Sequence, residues 1–332
     1  MAGLPLKKRN FSLLLVLLLA TLLLFTSFGA QTVKADGPSN PSIYYVAPGG
    51  NDSNPSTESL PWKTITKAAN TLIAGDTVYI KSGTYNERVI PQNSGSAGKY
   101  ITYSAYPGDT VIIDGSDIAL PDWAGLFQID TDYIKVSGLK ITNSSDMGCL
   151  VRPNHNHIII ENCIISNCQS SGILAEIATD MIVDGNEITN VCQVGNLEMI
   201  SLSDVDGFEI KNNYIHNCPR QPAIDVKDGC RNGKIYGNSV HDITVGGVGV
   251  YVDAYSKASY NIEVFRNRIS NCTNGIGLNT EEGGTLTDIK VYNNIVYGCP
   301  YNLVIWKFET PGSHLKKNII IPNYARSLSI MT

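Results

Sequence analysis

Helical periodicity is nearly missing from this 332-residue chain. Outside one short stretch near the amino end, apolar residues do not recur at three- and four-residue steps, which excludes a helical bundle and folds that alternate strand with helix. An excess of basic charge is missing as well. The 25 Lys and Arg against 30 Asp and Glu leave a net charge of −5, which excludes a nucleic-acid surface built on charge. No nucleotide, flavin or haem motif is present. The histidines, His155, His157, His216, His241 and His314, show no metal-ligand spacing and read as turn residues.

Long apolar runs are confined to one place, Leu13 to Phe25. That run follows Lys7-Lys8-Arg9 and precedes Val33-Lys34-Ala35, the order of a secretory leader cleaved after Ala35. It is short for a membrane span, so the mature chain is expected to be secreted and free of the membrane, the alternative being an uncleaved amino-terminal anchor. Residues 1–35 carry four basic residues and no acidic one, so cleavage takes the net charge to 21 − 30 = −9. A polyanionic ligand would need a cation or a local basic spot to settle on such a surface.

What is present is a repeat. Apolar/any/apolar runs at Ile224-Asp225-Val226, Val250-Tyr251-Val252 and Ile276-Gly277-Leu278 each lead through a polar turn to a second apolar strand that closes on an asparagine. That asparagine recurs as Asn162, Asn186, Asn213, Asn238, Asn267, Asn294 and Asn318, at intervals of 24 to 29 residues. Strand-length runs at such a period specify a solenoid of stacked parallel strands, and the asparagines are expected to stack at a turn and bond rung to rung. Cys168, Cys218, Cys272 and Cys299 each fall three residues after a repeat anchor, with Cys192 one step off. They read as a file of small buried hydrophobes, while Cys149, Cys163 and Cys230 stand outside it. The fold class expected is all-β, a single-stranded right-handed parallel β-helix over 36–332, with a short capping helix and first rungs over 43–115 and repeated rungs over 116–332. The end near Ser327 to Thr332 shows no closing helix, consistent with a truncated end or an edge covered by a partner.

The amino-terminal part carries a resemblance. Tyr45-Val46-Ala47-Pro48-Gly49-Gly50-Asn51-Asp52, Pro61-Trp62-Lys63-Thr64-Ile65, Ala74-Gly75-Asp76-Thr77-Val78-Tyr79-Ile80 and Ile113-Asp114-Gly115 resemble the cap of secreted β-helix proteins of the pectin-lyase-like superfamily. Between Trp62 and Leu72, apolar residues at three- and four-residue steps specify the helix that would cover the open first rung. The resemblance implies the fold and a polysaccharide partner. It does not choose among lyases, epimerases, hydrolases and adhesins.

Aligning the anchors Ile173, Ile200, Ile224, Val250, Ile276 and Val304 puts alternate residues on one outer face. The first outward column is Leu174, Ser201, Asp225, Tyr251, Gly277 and Ile305, and the second is Glu176, Ser203, Lys227, Asp253, Asn279 and Lys307. A third is Ala178, Val205, Gly229, Tyr255, Glu281 and Glu309. Lys227 is then expected directly against Asp253, with Glu198, Asp204 and Asp206 shaping the preceding turn.

Three functions stay open on these residues, a polysaccharide lyase first. Calcium-dependent β-helical pectate lyases, which the chain resembles here, pair an aspartate cluster with a lysine base. By that resemblance Lys227 would abstract the proton beside a uronate carboxylate while Asp225, Asp228 and Asp253 hold Ca²⁺. The longer acidic signature of those lyases, with adjacent aspartates downstream of the lysine, is absent. A hydrolase comes second. Asp253 and Glu281 are similar to the carboxylate pair of β-helical β-xylosidases, with Asp253 as nucleophile kept ionised by Lys227 and Glu281 as acid/base. The third is a binding solenoid without chemistry, using Tyr251, Tyr255, Tyr260, Tyr301 and Trp306 against sugar rings. Tyr251, Tyr255, Asn279 and Lys307 are the expected substrate contacts.

Overall fold

The computed structural model describes residues 41–307 apart from Pro219, together with the backbone of 314–316, 319–320 and 328–331. The leader expected over 1–35, Glu309, Asn318 and the side chains of Lys307 and His314 lie outside the described residues. Among the described residues no helix is long and apolar enough to cross a membrane.

Every strand pairing in the solenoid is parallel and joins one rung to the next, as in Ile173↔Ile200↔Ile224↔Val250↔Ile276. Parallel neighbours need a crossover, and here the crossover is the rest of the rung, which itself forms two further sheets. One passes through Ile134–Ser137, Ile158–Glu161, Arg231–Tyr236 and Ser259–Phe265. The other passes through Val111–Asp114, Leu139–Thr142, Ile164–Ser166 and Ile295–Tyr297. Inward Ile, Val and Leu from all three faces merge into one continuous core, and seven of the eight cysteines are buried.

The amino end is closed by the helix Ile65–Ala69, shorter than its apolar period suggested. Thr64 caps it by accepting the Lys67 N–H, and Ile65, Ala68 and Ala69 are buried. Trp62 stacks on Tyr44 of the first strand at 5.0 Å between ring centroids.

Corners between the sheets are made by residues in the left-handed region, and this is where the asparagines belong. Asn162, Asn212 and Asn293 (φ 53, 55 and 54) share one corner column with Gly185 and Gly237. The next residue along forms a buried ladder. The Asn186, Asn213, Asn238 and Asn267 N–H groups donate to the Oδ1 of the asparagine one rung on, at 2.9 to 3.1 Å. Cys163 opens the ladder by donating its N–H to Asn186 Oδ1 at 2.9 Å. Asn162, expected in the ladder, is thus one residue early, because Asn fits both the left-handed corner and the amide ladder beside it.

Candidate active site

The face with titratable groups is the outer side of the sheet that carries Ile224–Lys227. Its first outward column runs Leu150, Leu174, Ser201, Asp225, Tyr251, Gly277. The second runs Glu176, Ser203, Lys227 and then Asp253, Asn279, Trp306.

The rung of Tyr301–Lys307 departs from the expected register. Ile276 pairs with Leu303 rather than Val304, so Lys307 falls opposite Thr280 and Trp306 takes the place beside Asn279. Leu303-Val304-Ile305 is uniformly apolar, and such a run does not fix its own parity. The third expected column does not exist. Ile177, Asp204 and Asp228 adopt φ of 49, 54 and 46, and a left-handed residue breaks the alternation. Ala178 and Val205 are therefore buried in the core, while Tyr255 is exposed in the turn beyond the strand. Tyr260 pairs with Arg231 and belongs to another sheet.

Lys227 does not ion-pair with Asp253. Its Nζ meets Glu198 Oε2 at 2.7 Å and Asp225 Oδ2 at 3.4 Å. Burial pulls the ammonium down, but the Asp225 and Glu198 carboxylates outweigh it and hold the pKa above the usual lysine value. Glu198, expected only to shape a turn, is thus a member of the site, and it also accepts the Ser201 hydroxyl at 2.7 Å. Met199 and Ile200 both face the core. Two successive inward residues at that corner send Glu198 outward, where strict alternation from Ile200 would turn it in.

Asp253 is 6% exposed and accepts the Ala254 N–H on Oδ1 at 2.8 Å. Its pKa is pushed up to about 7, by burial first and by the Glu281 charge second, against weaker lowering by the Ala254 N–H and Lys227. The expectation that Lys227 keeps Asp253 ionised is therefore overturned, since its charge is spent on nearer carboxylates. Glu281 follows the end of the next strand and is also raised, by burial and by Asp228 and Glu282, while Asn279 donates to it at 2.8 Å. Asn279 also donates to the Tyr251 hydroxyl. Gly277 lets Tyr251 and Trp306 meet edge to face, their centroids 5.8 Å apart. A Cβ there would lie 2.6 Å from the Trp306 ring. Asp225 Oδ1 and Asn279 Oδ1 are buried without a hydrogen-bond partner among the described residues.

Asp225, Asp228 and Asp253 do not fit Ca²⁺, which takes six to eight oxygens around one point. Asp225 is turned to Lys227, Asp228 Oδ1 accepts the Ser256 and Lys257 N–H groups, and Asp253 Oδ1 accepts that of Ala254. Among the described residues no three His, Cys, Asp or Glu side chains converge as a ligand group.

Comparison with known proteins matches residues 44–225 to the family model described as Pel9A-like, right handed beta helix region. The chain belongs to that family. A general right-handed β-helix model matches 181–320. The chain is 27% identical, over 97% of its length and 77% of the other's, to the uncharacterized protein YwoF of Bacillus subtilis (strain 168). It is 36% identical to pectate lyase PEL9 of Emericella nidulans over 22% of this chain and 18% of the lyase. The chain therefore spans less than a fifth of that lyase. Among solved structures, pectate lyase Pel9A superposes with a TM-score of 0.53 at 17% identity, covering 87% of this chain and 80% of that one, which shows a shared right-handed β-helix fold.

Proposed function

We propose that this family member is a secreted carbohydrate-active enzyme that hydrolyses a polysaccharide, with Asp253 and Glu281 as its acid–base pair. The observation that carries this reading is the enclosed carboxyl pair on neighbouring rungs: Asp253, 6% exposed, pairs with Asn279, which donates to Glu281 at 2.8 Å, and burial pushes the Asp253 carboxyl up to about 7. A group with a pKa near the working pH exchanges protons best. At neutral pH Asp253 retains a proton in a large share of molecules and donates it to the glycosidic oxygen. Glu281 serves as the ionised partner, activating water or attacking the sugar. These roles are the reverse of those expected from the sequence, because the more enclosed of the two carboxyls is Asp253. The unpartnered acceptors Asp225 Oδ1 and Asn279 Oδ1 suit sugar hydroxyls as donors, and the Tyr251 and Trp306 rings offer an apolar flank.

β-Elimination of a uronic-acid polymer is the second reading, favoured by the family match and by the pectate lyase among the relatives. Under it Asp253, and not Lys227, takes the proton, since Lys227 is held protonated by two carboxylates. The mature protein incubated with polygalacturonate, alginate and neutral xylan, with Ca²⁺ and with chelator, separates the two. New reducing ends without ultraviolet absorbance from unsaturated products, abolished by Asp253→Asn and Glu281→Gln, support hydrolysis. Absorbance that appears with the reducing ends replaces it with elimination. Binding without cleavage on every polymer refutes both.

A further inference from the structure

A cavity of about 370 Å³, lined by Trp123, Asp146, Met147, Ser170, Asn196 and Leu197 among others, opens beside the same sheet on the rungs nearer the amino end. Its size is that of a small-molecule site. Trp123 is 42% exposed, whereas Trp62 is 5% exposed and structural. The Trp123 backbone has φ 60, a region that a bulky residue enters only at a cost of roughly 1–3 kcal/mol and that clusters at ligand sites. Arg152 Nη1 holds its carbonyl at 3.4 Å. Asp146 accepts the Ala124 N–H at 2.8 Å, which fixes a carboxyl in the cavity wall.

The cavity borders the sheet that carries the candidate active site. Met147 is buried with Leu150 and Leu174 on the outer face, and Leu197 packs against them. Leu150 lies in the column Gln128↔Leu150↔Leu174↔Ser201↔Asp225↔Tyr251. Four rung steps of about 4.8 Å place Leu150 about 19 Å from the Tyr251 rung, beyond the reach of a disaccharide and within that of a short oligosaccharide.

We propose that the Trp123 cavity is a remote subsite that binds a neutral sugar ring of the same glycan chain, several units away from the bond cleaved at Asp253. This rests on the polysaccharide-cleaving function proposed above. An indole face stacks on the C–H face of a pyranose, and the carboxyl, hydroxyl and amide of Asp146, Ser170 and Asn196 suit its hydroxyls. The lining has one acid and neither Lys nor Arg, so a uronate is the poorer occupant. Binding energy gained so far from the reacting bond favours long chains over short ones.

The test uses xylo-oligosaccharides of two to six residues, with oligogalacturonides of the same lengths as the charged comparison. Wild-type kcat/KM should climb with length. In Trp123→Ala the ratio of long to short chains should fall toward one, and Kd for the longest neutral oligosaccharide should weaken at least about tenfold. Trp123→Phe, which keeps a ring, should preserve much of the length dependence, and circular dichroism should show all variants folded. Length dependence and Kd unchanged in a folded Trp123→Ala, with cleavage intact, overturn the subsite and leave the active site standing. Tighter capture of oligogalacturonides through Trp123 overturns the neutral-sugar assignment. Absence of any binding or cleavage removes both the main-site reading and the subsite.

Discussion

Replacing Asp253 with asparagine should make the protein more stable at alkaline pH, an unusual outcome for removing a carboxyl from a site. The Asp253 carboxyl moves from 3.8 to about 7 on folding, roughly three pKa units, and each unit is worth about 1.4 kcal/mol. A carboxyl raised in the folded state stays protonated where the unfolded chain has already released its proton. Folding stability is therefore unaffected by this group below about pH 4, falls as pH rises through the window to about 7, and is constant above it. The ceiling on the loss is about 4 kcal/mol. Asparagine has the same shape, can accept the Ala254 N–H as Asp253 does, and does not ionise. Urea denaturation of both proteins between pH 4 and pH 8 should thus give nearly equal stabilities at the acid end. The variant should gain progressively, up to that ceiling, at the alkaline end. Carboxyls that do not interact with Asp253 are common to both proteins and cancel in the difference, whereas Asp225 and Glu281 lose a repelling charge in the variant, a change of the same sign. A difference that does not vary with pH, or a variant less stable at pH 8, refutes the argument. It would mean that Asp253 is ionised and paired, as a direct contact with Lys227 would have required.

Lys227→Met should destabilise by about 3–5 kcal/mol at pH 7, because it leaves the buried Glu198 and Asp225 carboxyls facing each other without a cation. The double variant Lys227→Met, Glu198→Gln should recover much of that loss in the same denaturation experiment. Asn238→Ala removes the acceptor for the Asn213 N–H and side chain, together with a donor to Ile210 O. At about 1–3 kcal/mol per stranded buried group, its urea midpoint should drop by the equivalent of at least about 3 kcal/mol. Gly233→Ala would put a Cβ 2.0 Å from Phe208 Cζ and should cost about 1–3 kcal/mol, with Phe208→Leu restoring part of the melting temperature.

The solenoid was legible because its information is redundant: six aligned apolar anchors and a column of asparagines all report one period, and an error at one rung is outvoted by the rest. The site was half legible. Alternation put Asp225, Lys227, Asp253 and Asn279 on one outer face, and the register of the structure agrees. Alternation failed wherever the chain turns a corner, because a left-handed residue at Asp204 or Asp228, or two successive inward residues at Met199 and Ile200, shifts parity without leaving an apolar signature. Glu198 was lost that way, and with it the electrostatics. Once Glu198 is outward, Lys227 has two carboxylates closer than Asp253, its charge is consumed locally, and Asp253 is left to burial and to Glu281. The choice of Asp253 as the proposed proton-exchanging group thus follows from one corner residue. A lysine competent as a base needs its neighbours to be cationic or absent, and a carboxyl competent near neutrality needs its cation taken elsewhere. This arrangement supplies the second condition and denies the first.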